Sequence, residues 1–129
     1  MPACRLVVRF LSDEWLAEAA ALTLAGGHDD VVCVVEQVVR DCDRDVRYQL
    51  RVFADGVCLE PHPAGAADVE IVEDYDVAVA ISRGELDPGG ALASGRITIR
   101  GNARQLASVA DALAGIGDLL APLRDRTEY

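Results

Sequence analysis

Residues 67–102, "ADVEIVEDYDVAVAISRGELDPGGALASGRITIRGN", switch hydrophobic period several times, and the switches set the order of the elements. Asp68 to Glu73 alternates, with Val69 and Ile71 directed inward, as a half-buried strand requires. From Asp74 to Gly84 the segment is apolar nearly all round behind an acidic cap, which is the pattern of a buried helix. Asp87 followed by Pro88 starts a second helix, since proline at the first helical position has no needed N–H to lose. That short helix carries Ala91 and Leu92 and ends at Gly95. "RITIR" (96–100) alternates again, with Ile97 and Ile99 inward and Arg96, Thr98 and Arg100 outward. Five of the chain's eleven glycines lie between Gly84 and Gly101, yet they close separate elements. A phosphate cradle needs its glycines within one turn ahead of a helix N-terminus, usually beside a cation. Gly89 and Gly90 do lie at a helix start, but Glu85 and Asp87 would face an incoming phosphate. The glycines are punctuation.

Working outward, Ser12, Asp13 and Glu14 read as a helix start, with a capping hydroxyl and two charges that favour the positive end of the dipole. Leu11 and Leu16 occupy the positions of a hydrophobic staple. This helix runs to about Ala25 and stops at Gly26-Gly27. "VVCVVEQVVR" (31–40) is β-branched and almost continuous, hence a well-buried strand. "DVRYQLRVF" (45–53) sets Val46, Tyr48, Leu50 and Val52 against Arg47, Gln49 and Arg51. Asp55-Gly56 is a hairpin turn into "VCLEP". Downstream, Asn102 caps a helix bearing Leu106, Val109, Ala110 and Leu113 on one stripe. Gly115 and Gly117 break it, and Ile116, Leu119, Leu120 and Leu123 continue the apolar spacing. The expected fold is α+β: one domain over residues 1–129, with a single, mostly antiparallel five-stranded sheet and helices on one face. On the polar face Glu70 is placed to pair with Arg96 or Arg100 across strands.

Charge narrows the partners. The chain has 22 acidic and 12 basic side chains, every basic one Arg, for a net charge of −10. Such a surface repels nucleic acid and anionic membranes. No window approaches the roughly eighteen apolar residues of a membrane span. The opening "MPACRLVVRFLSDEW" is too short in its apolar run for a secretory signal, so a cytoplasmic address is expected. The lysine-free, Ala- and Arg-rich composition is that of a GC-rich bacterial genome. Cys4, Cys33, Cys42 and Cys58 form no C-x-x-C pair and read as free thiols, so neither a metal site nor a cofactor is expected.

The chemistry-bearing residues are sparse. Asp41, Asp43 and Asp45 fall on alternate positions of a calcium loop, but Val46 and Val52 replace its glycine and its final glutamate, which leaves a solvated turn. His28 and His62 both lie in expected loops. Ser94 in "LASGR" is no nucleophile elbow. Tyr75, between Asp74 and Asp76, either anchors its helix to the sheet or offers a hydroxyl to a bound molecule.

The order in residues 67–102 resembles the sterol carrier protein type two family. There a strand like Asp68–Ile71 leads to a helix ending in Gly, a short helix with an Ala-plus-apolar pair, a glycine and basic residue (here Gly95-Arg96), and a strand ending in Gly-Asp. The "FLSDEW" start of the first helix fits as well. Asn102 stands where Asp is usual and Leu92 where an aromatic is frequent. The resemblance implies a sheet covered by helices around an apolar tunnel that binds or carries lipids. On that basis the ligand would lie between Tyr48, Leu50, Ile71 and Ile97 of the sheet and Val79, Leu92, Leu106, Leu113 and Leu120 of the helices, with Tyr75 near its head group. The stripe of the last helices reads by itself as ordinary core, and a chain so poor in large aromatics is compatible with a cavity. Two other functions fit the same residues. One is a small cyclase or isomerase working in the apolar pocket, and the other is an interaction domain that meets a second copy.

Overall fold

The computed structural model describes residues 7–23, 31–41, 44–54, 56–62, 65–109, 112–113 and 115–129. The five-stranded sheet has the order β4-β3-β2-β5-β6, built from β2 (Val31–Arg40), β3 (Asp45–Phe53), β4 (Gly56–Glu60), β5 (Val69–Asp74) and β6 (Ile97–Gly101). All its pairings are antiparallel except β2 with β5, which run parallel. This is the α+β sheet expected from the sequence. The valine-rich β2 takes the centre, where both its edges are hydrogen-bonded and Cys33, Val35 and Val39 are fully buried. Of the expected calcium-like turn, Cys42 and Asp43 lie outside the described residues, as do His28, Cys4 and Asp55.

Cross-strand partners share a face. One face carries Val35, Gln37 and Val39 beside Leu50, Tyr48 and Val46 on one side and Val69, Ile71 and Glu73 on the other. Helices pack there: α1 (Asp13–Thr23), α2 (Tyr75–Ser82), α3 (Pro88–Ala93), α4 (Ala103–Ser108) and two short turns, α5 (Ile116–Leu119) and α6 (Ala121–Arg124). The opposite face carries the charges. Arg47 reaches Glu36 at 3.0 Å and Glu70 at 3.7 Å, and Arg100 reaches Glu70 at 3.7 Å. The chain crosses this face between β4 and β5. It buries Gln49, whose amide donates to Glu36 and to the carbonyl of Gly65. Asp68 then hooks the crossing onto β2, accepting from the Val34 N–H at 2.7 Å.

Three of the expected caps form, at Ser12, Asp87 and Asn102, whereas Asp74 at the head of α2 makes no side-chain capping bond. The Ser12 hydroxyl accepts from the Trp15 N–H at 3.1 Å, and Leu11 and Leu16 are both buried beside it. The Asp87 carboxylate accepts from the Gly90 N–H, and Asn102 from the Gln105 N–H, each at 3.0 Å. Gly101 cannot be replaced at no cost: its φ is 100°, and a Cβ there would stand 2.7 Å from the Asp68 carbonyl oxygen. At the sheet's free edge the Leu59 N–H donates to Thr23 Oγ1 at 2.9 Å, so the last turn of α1 covers a strand edge that would otherwise be open.

Two features depart from the expectation. The stripe from Leu106 to Leu123 is not carried by long helices. α4 ends at Ser108, whose hydroxyl bonds back to the Gln105 carbonyl at 2.6 Å, a contact that competes with the helix. From Ile116 onward the chain advances in single turns, the last with Pro122 in its opening turn. A second sheet also appears, in which β1 (Val8–Arg9) pairs in parallel with β7 (Thr127–Glu128). The Trp15 indole N–H donates to Thr127 Oγ1 at 3.0 Å, and Arg126 pairs with Glu18 at 2.8 Å. Phe10 lies within 5.8 Å of the rings of Trp15, Tyr75 and Tyr129.

Candidate functional site

A cavity of about 600 Å³ lies between the β5–β6 half of the sheet and the helices above it. Leu50, Ile71, Ile97 and Ile99 form most of its floor. The walls are Ile81 from α2, Gly89 and Leu92 from α3, and Ala103, Leu106 and Ala107 from α4, closed by Leu113 and Ile116. The helix starts explain the wall: the Asp87 and Asn102 caps fix where α3 and α4 begin, and hence which residues look down on the sheet. Leu92, 46% exposed, stands at the mouth.

Six of the residues singled out from the sequence come together here: Leu50, Ile71, Leu92, Ile97, Leu106 and Leu113. Four do not line the space. Tyr75 packs on Phe10 at the first turn of α2, which is the anchoring role. Val79 is two residues from Ile81 and so nearly half a turn round α2, directed into the main core. Leu120 also joins that core. Tyr48 shares the inner face next to Gln37 but is packed among core side chains.

Polar groups on the floor were not singled out beforehand. They are Gln37 and Glu73, with Asp87 at the head of α3 above them. Alternation did contain Glu73: if Val69 and Ile71 point inward, the next residue to do so is 73. Glu73 is only 9% exposed, and burial pushes its carboxyl up to about 7. Burial, and then the nearby Glu73 charge, raise the Tyr48 phenol as well. Gln37 Oε1 is buried with no hydrogen-bond partner among the described residues. A shallower depression on the charged face, lined by Glu36, residues 65–70 and Arg100, belongs to the salt-bridge ladder and has no apolar floor. His62 is exposed in its loop. Among the described residues no group of His, Cys, Asp and Glu could hold a metal ion, and no helix is long and apolar enough to cross a membrane.

The architecture is thus a helix-covered, mostly antiparallel sheet with an apolar cavity in the covered side. No protein-family model matches the chain, and no curated protein matches it in sequence. Solved structures do. A crystal structure of sterol carrier protein 2 aligns with a TM-score of 0.61 at 16% identity, covering 92% of this chain and 99% of its own. A conserved hypothetical protein of Thermus thermophilus aligns at 0.59 and 18% identity, covering 95% and 92%. The solution structure of palmitated SCP2L2 from Aedes aegypti aligns at 0.56 and 20% identity, covering 81% and 92%. The chain has the SCP2-like fold.

Proposed function

We propose that the chain binds and carries a hydrophobic small molecule, a fatty acyl chain, a sterol or a comparable lipid, between sheet and helices. One observation carries this reading: about 600 Å³ of space lined mainly by Ile, Leu and Ala. Apolar side chains do not ordinarily surround unfilled volume, because each lost contact and each wetted methyl costs free energy. An occupant restores both. Each buried methylene contributes about 0.8 kcal/mol, so an acyl chain with about ten carbons inside gains on the order of 8 kcal/mol. Association and chain ordering subtract several kcal/mol, which leaves micromolar or weaker affinity. The palmitated state of one structural neighbour accords with the same use of the fold.

Native mass spectrometry of the freshly purified protein, followed by titration with fatty acid and sterol probes, tests this. A retained lipid or a saturable mass shift is expected. A protein that is empty and stays empty refutes it.

A cyclase or isomerase is the second reading, and Glu73 gives it a footing. A carboxyl near neutrality in apolar surroundings is in the state a general acid or base needs. Recovery of the bound molecule with an altered structure after incubation selects the enzyme, and recovery unchanged supports carriage.

A further inference from the structure

The cavity floor holds polar groups that the protein itself does not satisfy. Glu73, only 9% exposed, lines the cavity, and among the described residues no side chain or backbone group bonds or pairs with its carboxyl. Gln37 Oε1 is likewise buried and accepts nothing from them. Buried polar groups are ordinarily partnered, and an orphan costs the desolvation of that group. The two lie on the same inner face of adjacent strands: Gln37 is opposite Ile71, and Glu73 is opposite Val39 and Ile97. With Glu73 ionised, its carboxylate and Gln37 Oε1 both present acceptors to the cavity. Among the described lining residues the remaining polar one, Asp87, is a carboxylate, and none is basic.

We propose that the preferred occupant is a lipophilic amine: an aliphatic body in the apolar cavity with its protonated nitrogen donating to the Glu73 carboxylate and Gln37 Oε1. This rests on the carrier reading and adds the head group to it. A carboxylate head would enter a space with two like charges and no cation, where a low dielectric magnifies repulsion. An alcohol offers one donor to two waiting acceptors. An ammonium offers three donors and the compensating charge, and charge-assisted bonds are about twice as strong as neutral ones.

Proton balance follows. In the free protein burial favours the neutral carboxyl, and the facing ammonium favours the ionised one. Below about pH 7 binding therefore expels one proton from Glu73 as the cation enters. Among the described residues the titratable groups facing Glu73 are the Tyr48 phenol from β3 and the Asp87 carboxylate from α3. α2, α4 and residues 113 and 116 present only Ile, Leu and Ala.

The test is isothermal titration of the protein with decylamine, decanol and undecanoic acid, whose equal ten-carbon alkyl bodies cancel the apolar contribution. The amine is expected to bind at least about tenfold tighter than the alcohol at about pH 8, with the acid weakest. Amine affinity should rise by about tenfold from about pH 6 to about pH 8, as the free carboxyl gives up its proton. In Glu73→Gln that pH dependence should vanish and the amine-to-alcohol ratio should fall towards unity. Gln37→Leu, which keeps the carboxyl, should reduce the ratio while retaining the pH dependence. No binding of any probe overturns the carrier reading itself. Binding in which the acid or alcohol equals the amine, or in which the amine preference survives Glu73→Gln, overturns the head-group proposal and leaves the carrier standing.

Discussion

Replacing Glu73 by Gln should stabilise the unliganded protein, and only above mildly acidic pH. The carboxyl titrates near 4.5 when exposed and is pushed up to about 7 in the fold. Below about pH 4 it is protonated in both states, and the substitution changes little. Between the two values the unfolded chain ionises while the folded one holds its proton, so the wild type loses stability as pH rises. Above about pH 7 the loss is complete. The gap of about 2.5 pH units corresponds to about 3 kcal/mol at 1.36 kcal/mol per unit, an upper limit because water entering the open cavity mouth solvates the charge. Urea unfolding of both proteins at several pH values measures it. The midpoints should coincide near pH 4 and separate progressively to a plateau above pH 7, with Glu73→Gln the more stable. A difference independent of pH, or a variant less stable at pH 8, would show that the carboxyl is not desolvated in this site and would refute the reasoning.

Other outcomes follow from the same contacts. Ile71→Trp, on the cavity floor, should abolish uptake of a lipid probe in a fluorescence displacement assay while the protein still melts cooperatively, since the added ring enters space that is already present. Thr23→Val keeps the side chain's shape but removes the acceptor for the Leu59 N–H, and should cost about 1–3 kcal/mol in urea unfolding. Gly101→Ala combines an unfavourable φ with a backbone clash and should lower stability by more than about 1 kcal/mol, measured in the same way.

How far the sequence could be read depended on whether its signals were local. The alternation in β3, the Ser12, Asp87 and Asn102 caps, and the closing glycines Gly84, Gly95 and Gly101 act over a few residues, and each appears as expected. Gly117, by contrast, lies inside α5, and Gly26-Gly27 fall outside the described residues. The pairing of β1 with β7 has no such signature. Two-residue strands carry no period, and their partners lie at opposite ends of the chain. The breaks after Ser108 were hidden for the opposite reason: apolar spacing persists through single turns, so a stripe of leucines cannot reveal that the backbone between them has stopped being one helix. At the site, the polar residue that stands out in the sequence and those that line the cavity differ. Tyr75 stood out between two carboxylates, yet it serves the aromatic cluster at Phe10. Glu73 was not singled out, although the alternation that turns Val69 and Ile71 towards the helices turns it the same way.

The location of the cavity follows from where the large side chains went. Four of the chain's six aromatic rings, Phe10, Trp15, Tyr75 and Tyr129, gather where the β1–β7 pair meets α1 and the start of α2. That end of the helix layer is filled, and Trp15, Leu16, Ala19 and Leu123 there are nearly inaccessible. The opposite end, over β5 and β6, receives Ala103, Ala107, Gly89 and aliphatic chains of moderate size. Short helices pinned by caps at Asp87 and Asn102 cannot slide inward to close the remainder without giving up those hydrogen bonds. The filled end then supplies stability that the hollow end does not have to provide, so the space over Glu73 can stay open at a cost the rest of the fold absorbs. On this account enlarging Ala103 or Ala107 should reduce binding before it reduces stability, whereas trimming Phe10 or Trp15 should do the reverse.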